Sequence, residues 1–101
     1  MISPELKEIF DEAVREAIDQ IPVVSMGFKG SGLDLKDHVD NEMDFYLGVT
    51  IATIQERYMC KVLDKRKFTK EDAISAIPYT TTSIFTMIPD LKKEIKSKIG
   101  L

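Results

Sequence analysis

Tryptophan is absent from the 101 residues, and cysteine and histidine occur once each. Proline occurs four times and glycine five. Each scarcity excludes something. A lone Cys60 cannot form an intrachain disulfide. A lone His38 leaves no room for a serine-based triad. It also lies 22 residues before Cys60 on what reads as the same helix. At 1.5 Å rise per residue the two would be roughly 33 Å apart, so no Cys–His couple forms within one chain. The longest uncharged run, Ala73 to Pro89, has 17 residues, with two prolines and six Ser or Thr hydroxyls. A membrane-spanning helix needs about 20 apolar residues. The start, MISPELKEIF, is acidic and lacks the basic-then-apolar layout of a secretory leader. The expectation is a soluble, cytoplasmic protein with no membrane partner. No internal repeat or low-complexity segment is present, and 101 residues suit one domain.

Charge is present and uneven. Residues 1–50 carry 11 acids and 4 bases, whereas 51–101 carry 6 acids and 10 bases. With a net charge of −3 the two halves can neutralise one another by packing, and overall attraction for nucleic acid is weak.

Helical periodicity dominates the chain. Ser3–Pro4 offers an N-cap followed by proline at the first helical position. Leu6, Ile9, Phe10, Ala13, Val14, Ala17, Ile18 and Ile21 then form one apolar stripe. The pattern predicts a helix over 4–21, stopped by Pro22, which disfavours helix at the residue before it. Residues 22–33, with Gly27, Gly30 and Gly32, read as a glycine-rich loop. A second, long helix is predicted over 35–66, where no proline interrupts the period. It would span roughly 48 Å, more than the roughly 27 Å first helix can cover. Three shorter helices are expected over 70–77, 81–88 and 90–99. Thr69 would cap the first of these, with Asp72 at its third position and Phe68 as hydrophobic staple. No convincing strand pair remains. The fold class is all-α, a single domain over 1–101, built as a bundle of four to five helices around one long central helix.

Candidate chemistry is sparse. The glycines 27, 30 and 32 do not make a phosphate loop. Their order is wrong, no strand precedes them, and Asp34 and Asp37 would repel an anion from the next helix start. The apolar Val23, Val24, Met26 and Phe28 make this loop a candidate contact surface. Asp34, His38 and Glu42 form an i, i+4, i+8 row, a metal site only if a second helix adds ligands. FTKEDAISAIPYTTTSIFTMI, residues 68–88, resembles a helix-turn-helix DNA reader. That resemblance implies a recognition helix at Thr81–Ile88, locked by Ala73, Ile74, Ile77, Tyr79, Ile84 and Met87. Lys65, Arg66, Lys67, Lys92 and Lys93 would supply phosphate contacts. The recognition helix would lack the Arg, Lys, Asn and Gln that read base edges best. The cationic C-terminal LKKEIKSKIG reads as a helix packed into the bundle.

The segment Phe45–Ile54 has no charge on any face, and a helix apolar all round is expected to be buried all round. Short helices can barely wrap it, so an antiparallel second copy is a natural cover. Phe45, Gly48, Val49, Ala52 and Met59 would form one packing face. Leu47, Ile51, Ile54, Tyr58 and Val62 would form the other. The sequence therefore points to a non-catalytic, self-associating or partner-binding helical module, a homodimer or the companion of another helical protein. It calls for no cofactor. The nucleic-acid reading is the first alternative and the metal reading the second.

Overall fold

The computed structural model describes residues 3–65 and 68–100. Among them there is no strand. Helix α1 spans Pro4–Ser31, a 3-10 turn Leu35–Asp37, α2 Glu42–Asp64, α3 Lys70–Ser75 and α4 Ile77–Ile99. The protein is an all-α helical bundle. Helices α1, α2 and α4 run up, down and up along a body of 44 × 25 × 20 Å, and α3 forms the corner between α2 and α4.

Three boundaries differ from the sequence expectation. First, α1 does not stop at Pro22. It continues through most of the segment expected to be a loop, 22–33, as far as Ser31. Proline inside a helix removes one hydrogen bond and costs about 3 kcal/mol. Beyond it, however, Ser25 is buried, and Val24 and Phe28 pack against Ile21, Leu35 and Tyr46. That burial outweighs the lost bond. Gly27 and Gly30 are helical, and only Gly32 uses its special freedom. It adopts φ 74°, and its N–H donates to the Lys29 carbonyl, closing the helix.

Second, the long helix expected over 35–66 begins at Glu42. The Asn41 side chain accepts from the Asp44 N–H at 3.0 Å and caps it. Upstream, Asp34 caps only the 3-10 turn, by accepting from the Lys36 N–H. Third, the break expected at 78–80 lies earlier, at Ala76, and the one expected at Pro89 is absent: α4 starts at Ile77 and runs unbroken through both prolines. Pro78 lies in the first turn, where its missing N–H has no partner to lose. Pro89 is exposed, and Leu91 and Ile95 beyond it are fully buried. The architecture is thus three long helices of 28, 23 and 23 residues, not one long helix wrapped by short ones.

The core has two tiers. One gathers Ile9, Phe10, Ala13 and Ala17 of α1 with Ile54, Tyr58 and Val62 of α2, Ala73 and Ala76 at the corner, and Ile84 and Leu91 of α4. The other gathers Ile21, Leu35, Tyr46 and Ile95. Ile18 and Leu47 pack against both. Each fully buried Ile, Leu, Val or Phe side chain among them contributes about 1.5–3 kcal/mol. At the corner, Thr69 and Asp72 form a reciprocal capping box. The Asp72 N–H donates to the Thr69 hydroxyl at 3.2 Å, and the Thr69 N–H donates to the Asp72 carboxylate at 2.7 Å. Phe68 is half-buried against the first tier.

Candidate functional site

Helix α2 buries one side only. Tyr46, Thr50, Ile54, Tyr58 and Val62, each four residues from the last, face α1 and α4. Leu47 and Ile51 pack half-buried beside them. At about 100° per residue, Gly48, Ala52 and Leu63 fall on the opposite side, with Phe45 and Met59 at its margins, where each still packs against the core. Gly48, Ala52 and Leu63 are exposed, and Phe45, Val49 and Met59 are half-buried. The expectation that this segment is buried all round is therefore corrected for the single chain. Two neighbouring helices cover about half of a helix, and α3 reaches only its C-terminal end.

Gly48 stands out on that face. It sits in the interior of α2 without positive φ, and a Cβ added to it would meet nothing within 4 Å. Glycine here costs about 1 kcal/mol relative to alanine, and no packing inside the chain requires it. Glu56 is the charge nearest the centre of the outer arc. At the N-terminal end of α2 the ring of Phe45 meets Phe28 of α1 edge to face, with centroids 5.5 Å apart. This contact joins the outer face of α2 to the last turns of α1. There Val24 is half-buried, and Val23 and Met26 are exposed, Met26 by 68%. The two apolar groups singled out from the sequence, one in the supposed loop and one on α2, thus adjoin at Phe28–Phe45.

Charge anchors the other flank of α2. The Lys61 ammonium lies 2.7 Å from Glu16 and 3.2 Å from Glu12, and Arg57 lies 3.5 Å from Glu16. Hydrogen bonds that the ammonium donates to Glu16 and then Glu12 push the Lys61 pKa above its ordinary value. This cluster was not foreseen. Its signal was present as acids four apart on α1 and bases four apart on α2.

The metal row does not form. Asp34 caps the 3-10 turn, and His38 ends it, exposed. Glu42 starts α2 and pairs with Lys36 at 4.0 Å. An i, i+4, i+8 row needs one continuous helix, and residues 38–41 are not helical. Among the described residues no three His, Cys, Asp or Glu side chains are grouped to hold a metal ion. A cleft of about 420 Å3 nearby contains Lys29, Asp34, Lys36 and Glu42, and so mixes both signs of charge.

The helix-turn-helix geometry is also not met. Thr81–Ile88 is the interior of a 23-residue helix whose Thr80, Ile84, Leu91 and Ile95 are buried in the bundle. Ile74 and Ile77, expected to lock the pair, are 49% and 43% exposed. The Thr82 and Thr86 hydroxyls donate to the Pro78 and Thr82 carbonyls of their own helix. Lys65 follows the end of α2, whereas Lys92 and Lys93 lie about 22 Å along α4 from its start. Arg66 and Lys67 lie outside the described residues. No helix among the described residues is long and apolar enough to cross a membrane. Comparison with protein-family models, with curated proteins and with solved structures finds no match for the chain.

Proposed function

We propose that the protein is a self-associating helical module whose outer α2 face packs against the same face of a second copy. The observation that carries this reading is Gly48: an exposed glycine within the uncharged stretch Phe45–Ile54 of α2, serving no contact within its own chain. Small residues at Gly48 and Ala52, one turn apart, let a second helix approach closely, with Phe45, Val49, Met59 and Leu63 around them. An antiparallel pairing about a two-fold axis presents the same patch on both sides and needs no other partner.

Surface area supports the same reading. A compact monomer of 11.5 kDa exposes about 5800 Å2. This chain exposes 6596 Å2. The surplus of about 800 Å2 matches what each partner contributes to a standard interface. The elongated body, with a radius of gyration of 15.0 Å against about 13 Å for a compact chain of this length, is the geometric form of that surplus.

The test is light scattering on a sizing column over a range of concentrations, with the Ala52→Glu variant beside the parent chain. A glutamate at this exposed position leaves the single chain's core untouched and places like charges across a two-fold interface. Twice 11.5 kDa is expected for the parent and 11.5 kDa for the variant, with helical content unchanged. A parent mass of 11.5 kDa at every concentration, or a variant that still doubles, overturns the proposal.

A further inference from the structure

Among the described residues the buried Ser and Thr side chains are Ser25, Thr50 and Thr80. Thr50 donates to the Tyr46 carbonyl at 2.7 Å, and Thr80 to the Ile77 carbonyl at 3.0 Å. The hydroxyl of Ser25, a residue 7% exposed, bonds to none of the described residues. Neither does the hydroxyl of Tyr46, 5% exposed. The Tyr58 hydroxyl is sealed from water, but these two are not, so each reaches solvent. The opening they share is the cleft of about 420 Å3 that both residues line, between the last turns of α1, the 3-10 turn, the start of α2 and the end of α4. Ser25 lies one turn beyond Ile21, and Ile21 packs in one cluster with Tyr46, so the two hydroxyls come from facing helices. Folded proteins pair nearly all polar groups withdrawn this far from bulk water.

The charges at the rim are unevenly matched. The Asp34 carboxylate accepts from the Lys36 N–H at 3.1 Å, and Glu42 lies 4.0 Å from the Lys36 ammonium. Lys29, in the last turn of α1, pairs with no acid among the described residues. We infer that this cleft binds a small carboxylic acid with a short apolar tail. Its carboxylate accepts from the Ser25 and Tyr46 hydroxyls and pairs with Lys29, and its tail lies against Phe28, Leu35 and Ile99. Each part of the lining selects one feature of the ligand. Two hydroxyl donors beside one unmatched cation call for an acceptor with a single negative charge. A dianion such as phosphate would meet Asp34 and Glu42 at the same rim and would leave the apolar wall uncovered. An ammonium would meet Lys29 and Lys36. A cavity of about 150 Å3 suffices for benzene, so about 420 Å3 admits a branched aliphatic acid together with water.

The experiment is a titration of the full, isotope-labelled chain followed by amide chemical shifts, with isovalerate, isovaleramide and isoamylamine as probes. Isovalerate is expected to give saturable shifts at Ser25, Lys29, Leu35 and Tyr46. Isovaleramide, of the same shape without the charge, should bind about tenfold more weakly, and isoamylamine not at all. Tyr46→Phe, which keeps the ring, should weaken isovalerate about tenfold. Lys29→Gln, at an exposed position that leaves the core intact, should weaken isovalerate about threefold and leave isovaleramide unchanged. Absence of saturable shifts with isovalerate overturns the inference. So does isovaleramide or isoamylamine binding as tightly as isovalerate, since the charge would then select nothing. Equal isovalerate affinity in the parent and Tyr46→Phe chains overturns it as well.

Discussion

Replacing Gly48 by alanine separates what the single chain needs from what a second copy needs. Gly48 lies inside α2 without positive φ, and the new Cβ meets no atom within 4 Å. The change therefore removes only the backbone entropy cost of glycine in a helix, about 0.8–1 kcal/mol. In a domain of this size that raises the melting temperature by about 4–8 °C. The assay is thermal unfolding by circular dichroism at a concentration low enough to keep chains apart, repeated where the parent self-associates. At high concentration the gain should shrink, because a Cβ at the closest approach of two helices weakens the mass-action stabilisation that association adds. A melting temperature unchanged or lowered at low concentration would refute the claim that Gly48 is an uncompensated helix-interior glycine. An equal gain at both concentrations, in a parent that does associate, would place the interface elsewhere.

Four further outcomes follow from the packing and the charges. Leu91→Ala, a cavity in the fully buried part of α4, should cost about 2–5 kcal/mol by urea unfolding. Phe85→Ser, at a position 67% exposed on the same helix, should change stability by under about 0.5 kcal/mol. Pro89→Ala should stabilise by up to about 3 kcal/mol, since it restores one helical hydrogen bond at an exposed position and disturbs no core contact; a melt showing destabilisation would mean that α4 needs its bend. Stability should fall at alkaline pH. Lys61 is raised from 10.5 by its two glutamates, and Tyr58 from 10.0 by burial and Asp72. Groups with raised folded values stabilise fully below the unfolded value and lose that contribution as pH rises through the folded one. Urea midpoints should thus decline above about pH 10, and less so in Tyr58→Phe; a flat profile would contradict the assignment.

The sequence made some of these elements legible because their causes are local. A serine before proline starts α1, and the Thr69–Asp72 pair starts α3. The 3.6-residue stripe on α1 needs only its own residues to be seen. Where the reading failed, a distant contact overrode a local rule. Pro22 and Pro89 are stop signals, but the cost of each is outweighed by residues further along that find core partners across the bundle. The false continuity of α2 has a different origin. Leu35, Val39, Met43, Leu47 and Ile51 keep a spacing of four, and the first three are apolar because they seal the second tier of the core. They do so from a 3-10 turn and a connector as well as from a helix. The two faces of α2 were separable from helical spacing alone. Which of them meets α1 and α4 was not, because over Phe45–Ile54 both are uncharged and only the placement of the neighbouring helices decides between them.

The two-tier core gives the bundle one firm end and one that can breathe. The first tier unites all four helices and holds Phe10, Ile54 and Leu91. The second has four buried residues and rests on the part of α1 beyond Pro22, where Gly27 and Gly30 weaken the helix and a 3-10 turn replaces a long element. With Ile18 and Leu47 as the links between tiers, opening of the second does not require loss of the first. Amide protons of residues 24–31 and 35–46 should then exchange through partial opening, well ahead of those near Ile54. The segment richest in glycine, although folded as helix, would be the first part of the protein to meet whatever surrounds it.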